Sequence, residues 1–182
     1  MHRKSKLIVL PFLLFFWAIV PAVFAEDTLF ITQDFDVATL GLYVQYCREV
    51  PPQTDISKIV RLYKDNRFQK STAINPSFGY SHNSLWVSFT LANPSQAPVQ
   101  VLLEYDYPII DDITLFVPDG VHFKVIQTGD RFPFSSRPFP YRSFVFPLEV
   151  KPGSTTYFLR IRSEGSLVVP LKVWGLKAFE HM

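Results

Sequence analysis

Apolar and polar residues alternate along the second half of the chain. Between Leu85 and Leu91 every odd-numbered position is apolar, and Ser88 and Thr90 lie between them. This period of two is typical of a β-strand with one buried face. The same alternation predicts further strands at 99–105, 113–117, 121–125, 144–148, 157–161 and 167–173. A helix over these segments would place Lys, Arg and Glu in the core, so we predict an all-β protein, an antiparallel β-sandwich or jelly roll.

Turn signals separate these strands and support the same fold. They are Asn93-Pro94-Ser95, Pro118-Asp119-Gly120 and Lys151-Pro152-Gly153. Proline and glycine end a strand because proline lacks an N–H group and glycine adopts positive φ at little cost. The spacing is that of antiparallel strands joined by short loops.

The first half of the chain predicts two strands and one short helix. The strands are expected at Thr28–Thr32 and Leu40–Cys47, before the break at Pro51-Pro52. The helix is expected at 54–63, where apolar residues recur at positions 56, 59, 60 and 63 and Thr54 or Asp55 caps the first turn. Residues 64–82 are polar and are expected to be irregular.

The N-terminus has the layout of a secretory signal. A basic start, Met1–Lys6, precedes an apolar run, Leu7–Val20, and the compact residues Val23 and Ala25 suit a signal peptidase. We therefore predict a signal peptide at 1–25, cleaved after Ala25, and one periplasmic β-sandwich domain at 26–182. The alternative is an uncleaved membrane anchor at 7–25, although Pro11 and Pro21 interrupt that stretch.

Charge and cysteine content narrow the function. The signal segment holds Arg3, Lys4 and Lys6 and no acidic residue, so the apparent excess of positive charge belongs to it rather than to the domain. A near-neutral domain lacks the basic surface of a nucleic-acid-binding protein. Cys47 is the single cysteine, so an internal disulfide is impossible. Aromatic residues, 16% of the chain, supply the apolar area that stabilises a sandwich instead.

Several local phrases between Thr39 and Phe179 together resemble a known family. They are Leu85–Phe89, Leu91 with Asn93–Ser95, Tyr107–Ile113, Thr128–Phe134, Arg137-Pro138, Arg142 with Phe144–Leu148, and Gly165–Leu167 with Pro170, Leu171 and Trp174. Their order and spacing resemble the type 2 extracellular domain of the 7TMR-DISM family, bacterial seven-transmembrane receptors with diverse intracellular signalling modules.

The resemblance implies a periplasmic jelly-roll domain that is similar to carbohydrate-binding modules and galactose-binding-like folds. In that family the domain normally precedes seven membrane helices and a cytoplasmic kinase or cyclic-dinucleotide output. The sequence ends at Met182, before any such segment. It is expected to be a stand-alone member or the sensor portion of a receptor.

A proline-rich segment at 129–146 is the first candidate site. Arg131, Arg137 and Arg142 fall within 12 residues there, after Asp130. Guanidinium groups bind carboxylate, phosphate or sugar hydroxyl oxygens, and prolines lower the entropy lost when a loop is ordered by a ligand. The alternative is that Asp130 and one arginine form an internal salt bridge that braces a long connection.

Aromatic side chains are the second set of candidates. Trp86, Tyr107 and Trp174 are candidate platforms for stacking on a sugar ring, and Trp86 and Trp174 are out of phase with the aliphatic face of their strands. The alternative is packing in the core or along an edge.

Nothing in the sequence predicts catalysis. It contains no nucleophile motif, phosphate-binding loop, dinucleotide fingerprint or zinc spacing, and no cofactor is predicted. A glycosidase would need two carboxylates across a cleft, but the close pairs, such as Glu104 with Asp106, are neighbours along the chain. We therefore predict a non-catalytic ligand-sensing domain of a membrane receptor, for a carbohydrate or another small polar ligand. The alternative is a protein-interaction module that docks on a membrane or periplasmic partner.

Overall fold

The structure, a computed structural model, describes residues 27–181. The predicted signal segment 1–25 lies outside the described residues and stays a prediction. The strands are β1 (Thr28–Phe30), β2 (Val37–Thr39), β3 (Gln45–Val50), β4 (Gln69–Lys70), β5 (Ser77–Gly79), β6 (Ser84–Asn93), β7 (Val99–Tyr105), β8 (Asp112–Asp119), β9 (His122–Thr128), β10 (Phe144–Val150), β11 (Gly153–Arg162), β12 (Leu167–Val168) and β13 (Leu171–Gly175). The helices are α1 (Ile56–Lys64) and α2 (Leu176–Glu180), with a short 3₁₀ turn at Phe134–Ser136.

These strands form two facing sheets. The larger sheet has the order β4-β3-β6-β11-β8-β9, and β1 adds to β6 as a parallel seventh strand. The smaller sheet has the order β10-β7-β13-β2, and β12 pairs with β5 apart from both. All pairings along the two main orders are antiparallel. The predicted β-sandwich is confirmed.

The alternation of the strands explains the core between the sheets. Val87 and Phe89 of β6 and Leu159 of β11 are all almost fully buried, as the odd-position pattern predicts. Phe89 is the register partner of Tyr157, and their rings stack with centroids 5.2 Å apart. The apolar faces of both sheets are therefore joined in one continuous core.

The predicted helix is confirmed as α1, with both ends capped. The Asp55 side chain accepts a hydrogen bond from the Ser57 N–H at 2.7 Å. At the C-terminus the Asn66 N–H donates to the Tyr63 carbonyl and the Arg67 N–H to the Leu62 carbonyl, while Asn66 has φ +54°. This is the Schellman arrangement, in which a residue of positive φ closes the last turn.

α1 covers the outer face of the larger sheet. Ile59 is fully buried there, in a second apolar cluster with Trp86, Phe116 and Phe158. The helix thus covers a sheet face that would otherwise be exposed to solvent. The out-of-phase aromatic residues of that sheet face form a second core beneath the helix.

Some elements differ from the sequence expectation. The segment 167–173 is two strands, β12 and β13, because Pro170 has no N–H group for a ladder at the break between them. The segment 64–82, expected to be irregular, contains β4 and β5, and α2 was not predicted.

None of the helices within 27–181 has the length and apolar character to cross a membrane.

Candidate functional site

Four loops meet at one end of the larger sheet and enclose a polar cleft. The pairings Leu85↔Ile161, Ile113↔Ile161 and Ile113↔Thr128 bring the starts of β6 and β8 beside the ends of β9 and β11. The loops at these strand ends line a cavity of about 270 Å³. We call it the loop cleft; it is lined by residues 81–83, 111–112, 131–132 and 162–164.

Arg131 bridges two sides of the loop cleft. Its Nη2 atom lies 2.5 Å from Glu164 Oε1 and 3.4 Å from Asp111 Oδ2. The hydrogen bond to Glu164 and the charge of Asp111 raise the pKa of Arg131, so the guanidinium is charged at every physiological pH. The Asp111 carboxylate also accepts a hydrogen bond from the Glu164 backbone N–H at 2.7 Å. The sequence allowed for an internal salt bridge here, but the acidic partners of Arg131 are these residues rather than Asp130.

The position of Arg131 depends on Gly129. This glycine has φ +150°, and a Cβ atom there would lie 2.1 Å from the Asp111 carbonyl oxygen. Only glycine allows the two loops to approach this closely. The adjacent Asp130 N–H donates to the Ile110 carbonyl at 2.7 Å, while the Asp130 side chain is exposed.

A polar network forms the wall of the loop cleft beside Arg131. Asp112 Oδ1 accepts from the Thr114 hydroxyl at 3.1 Å, and Asp112 Oδ2 accepts from Gln127 Nε2 at 3.0 Å. Arg160 Nη2 donates to the Thr114 hydroxyl oxygen at 3.1 Å. These hydrogen bonds fix the orientation of Asp112, and none of them involves Arg131.

Arg137 braces its own loop. Its Nη1 atom donates to the backbone carbonyls of Tyr141 at 2.5 Å and Arg142 at 2.6 Å. The guanidinium carbon lies 4.6 Å from the centre of the Phe144 ring and 4.9 Å from that of Phe134. Such contacts hold the connection between β9 and β10. The Arg142 side chain is exposed and forms no hydrogen bond or ion pair with any residue of 27–181.

Trp174 belongs to a network that the sequence did not predict. Its Nε1–H donates to Glu104 Oε2 at 2.8 Å, and the Ser143 hydroxyl donates to Glu104 Oε1 at 2.6 Å. Glu104 is only 2% exposed, on the outer face of the smaller sheet. The ring of Phe179, from α2, stands edge-on to the Trp174 ring with centroids 5.9 Å apart. In the sequence, Glu104 alternates with the apolar residues of β7, so its side chain is expected on the outer face of the sheet. That alternation predicts an exposed glutamate and not a buried one.

Trp86 and Tyr107 do not face the loop cleft. Trp86 is fully buried beneath α1, with its ring 5.2 Å from that of Phe116, so neither ring face is open to a sugar. Of the two interpretations from sequence, core packing applies to Trp86. Tyr107 is half-buried against the main core.

The sequence candidates therefore separate into three groups, of which the first is Trp86 and Tyr107, packed against the two apolar clusters. Arg131 lines the loop cleft, whereas Asp130 precedes it in the chain and is not part of the lining. Arg137 binds the carbonyls of Arg142 and Ser143, and Ser143 is linked to Trp174 through Glu104. Glu164 and Arg162 of the cleft were not predicted from the sequence, because they lie 30 residues or more along the chain from Arg131. Only the antiparallel return of β11 brings them together.

Comparison with known proteins gives a family. The family model described as 7TMR-DISM extracellular 2 matches residues 41–175. No curated protein matches the chain. Among solved structures, a family GH115 4-O-methyl-α-glucuronidase, BtGH115A, described as having specificity for decorated arabinogalactans, is similar with 13% identity and a TM-score of 0.34. That similarity covers 56% of this chain and 14% of the enzyme, and it carries no argument about function. The family match spans most of the sequence, as its local phrases predict, and the chain belongs to the 7TMR-DISM extracellular 2 family.

Proposed function

We propose that this chain is the periplasmic, non-catalytic ligand-sensing domain of a membrane signalling receptor, and that its loop cleft binds a carbohydrate or another small polar ligand. Membership of a receptor extracellular-domain family supports the sensing role. The observation that carries the binding site is the convergence of Arg131, Asp111 and Glu164, which come from three different loops, at one cavity.

The chemistry of the loop cleft suits a polyhydroxylated ligand. Sugar hydroxyl groups both donate and accept hydrogen bonds, and the cleft offers guanidinium donors from Arg131 and Arg162 and carboxylate acceptors from Asp111 and Glu164. The half-buried Phe132 adds an apolar surface for the C–H face of a sugar ring. A volume of about 270 Å³ is just below the usual range of about 300 to 1,000 Å³ for ligand pockets, so the cleft suits a ligand no larger than about one sugar ring.

The described carboxylates of the loop cleft are arranged for binding rather than for hydrolysis. Arg131 contacts both Asp111 and Glu164, and Asp112 accepts hydrogen bonds from Thr114 and Gln127. Glycoside hydrolysis needs an acid and a second carboxylate on opposite sides of the scissile bond. Carboxylates that are bridged by one arginine do not have that arrangement.

A binding screen tests this proposal. The purified protein is titrated with monosaccharides, oligosaccharides, organic acids and nucleotides, and the melting temperature is measured because a ligand of the folded state raises it. We expect a shift with one ligand class that is lost in Arg131→Ala and kept in Arg61→Ala. Arg61 is a matched control because it is exposed on α1, away from the cleft. A shift that survives Arg131→Ala would contradict the assignment of the site.

A protein-docking module is the second candidate function. Exposed apolar side chains lie beside the cleft residues in sequence, with Tyr80 78% exposed, Ile109 60% and Phe134 59%. Such side chains are typical of a contact surface for a membrane or periplasmic partner. This function would be favoured if no ligand in the screen raised the melting temperature and if Tyr80→Ser lost binding to that partner.

A further inference from the structure

A second cavity lies on the side of the sandwich, away from the loop cleft. It opens where β9, the edge strand of the larger sheet, faces β10, the edge strand of the smaller sheet. Its volume is about 350 Å³. We call it the edge groove; it is lined by apolar side chains of Val117, Ile126 and Leu148 and by a few polar groups. No residue of the loop cleft lines it.

Tyr157 places an unpaired hydroxyl in the edge groove. The residue is 1% exposed, with its ring stacked on Phe89, and it lines the groove. Its hydroxyl forms no hydrogen bond with any residue in the described range 27–181, and it is not among the buried atoms that lack a partner, so it opens to the solvent of the groove. A hydroxyl that opens into a cavity and has no partner within the protein is free to donate to a ligand. Burial raises the pKa of Tyr157 to about 12, so the hydroxyl stays a hydrogen-bond donor at physiological pH.

Lys124 adds a positive charge to the edge groove. In the β8–β9 pairing Lys124 lies opposite Val117 and Ile126 opposite the buried Leu115, so both are on the inward side of β9. Lys124 forms no ion pair with a residue of 27–181. An inward lysine also protects an edge strand from pairing with other chains. That protective role requires neither a cavity nor an unpaired hydroxyl beside the lysine.

The charges that line the edge groove balance one another, which limits the charge that a ligand can carry. Lys151 lines the groove with Lys124, and Asp119 and Glu149 balance their charges. Glu149 already accepts a hydrogen bond from Gln100 Nε2 at 3.0 Å. A monoanion is therefore accommodated with less repulsion than a phosphate dianion.

We propose that the edge groove binds a small monocarboxylate with an apolar body, such as a medium-chain fatty acid. The carboxylate accepts hydrogen bonds from the Tyr157 hydroxyl and the Lys124 ammonium group, and the hydrocarbon part packs on Val117, Ile126 and Leu148. This site is independent of the loop cleft and of its polar ligand.

Hexanoate and hexanamide are a matched pair of probes for the edge groove. Each is titrated into the isotopically labelled protein at neutral pH, and amide chemical shifts are followed by NMR. We expect hexanoate to shift the amides of residues 117, 126, 148 and 157, and hexanamide to bind at least about tenfold more weakly, since a charged acceptor strengthens the hydrogen bonds. Tyr157→Phe, which keeps the ring, and Lys124→Gln are each expected to weaken hexanoate binding about tenfold. Lys58→Gln, an exposed lysine on α1, is the control.

Three results would overturn this proposal. They are no shifts with millimolar hexanoate, equal binding of hexanamide, and shifts confined to the loop cleft. If Tyr157→Phe does not fold, Lys124→Gln alone decides, because that lysine is exposed and its loss leaves the core intact.

Discussion

The buried Glu104 carboxylate is expected to contribute strongly to stability. It is 2% exposed and accepts two hydrogen bonds, from Ser143 and Trp174, at 2.6 and 2.8 Å. Glu104→Ala removes the acceptor of both, leaves two donors unpaired on a covered face and opens a cavity. A hydrogen bond to a charged group contributes about 1.5 to 3 kcal/mol, so we expect a loss of about 3 to 5 kcal/mol in the free energy of unfolding.

Two further variants separate the carboxylate from simple truncation. Glu104→Gln keeps the shape, its amide oxygen can accept from Trp174, and its amide nitrogen can donate to the Ser143 hydroxyl. We expect this variant to lose only about 1 to 2 kcal/mol. Glu149→Ala, an exposed glutamate in β10 that accepts from Gln100, is the truncation control and is expected to change stability by less than about 0.5 kcal/mol.

Urea unfolding followed by circular dichroism measures these differences from the transition midpoint at constant slope. The reasoning is refuted if Glu104→Ala unfolds within about 1 kcal/mol of wild type, because two unpaired donors cannot cost so little when they are buried. It is also refuted if Glu149→Ala loses as much as Glu104→Ala.

Three other predictions follow from the described residues. At the end of α1, Asn66 has φ +54°, so Asn66→Gly is expected to keep or raise the melting temperature, whereas Asn66→Ala loses about 1 kcal/mol; equal melting temperatures for the two variants would contradict the Schellman assignment. Gly129→Ala places a Cβ 2.1 Å from the Asp111 carbonyl oxygen, so it is expected to weaken ligand binding at the loop cleft by tenfold or more. The control is Gly165→Ala, where the atom nearest to the new Cβ is 3.5 Å away, and equal affinities of the two variants would refute this prediction. The pKa of Tyr157 is raised to about 12 in the folded protein, so its contribution to stability is complete below the unfolded-state pKa near 10 and is lost as pH rises toward about 12. Over that interval the wild type is expected to lose about 2 kcal/mol more of its free energy of unfolding than Tyr157→Phe. Identical pH profiles of the two proteins in urea unfolding would contradict this prediction.

The parts of the fold set by local pattern could be predicted from the sequence. The alternation from Leu85 to Leu91 predicts β6, and the spacing of Ile56, Ile59 and Val60 predicts α1 with Asp55 as its cap. These follow from period and capping chemistry, which depend on residues close in the chain.

The site depends on contacts between distant segments, and these limited the prediction. The phase of Trp86 was correct, but α1 covers that face of the sheet, and an alternating pattern does not reveal a helix that packs against it. Arg131 was identified, whereas its partner Glu164 lies in the loop that follows β11. Glu104 is an outward residue in a strand, and its burial results from the loop that carries Ser143 and from α2.

The most direct test of the account is to map, by NMR chemical shifts, where a polar ligand from the screen binds. The largest shifts are predicted at residues 81–83, 111–112, 131–132 and 162–164, and they are predicted to disappear in Arg131→Ala while the spectrum stays that of a folded protein. A polar ligand that binds with its shifts elsewhere, or a folded protein that no member of the panel shifts, would contradict the claim that the loop cleft is the sensing site.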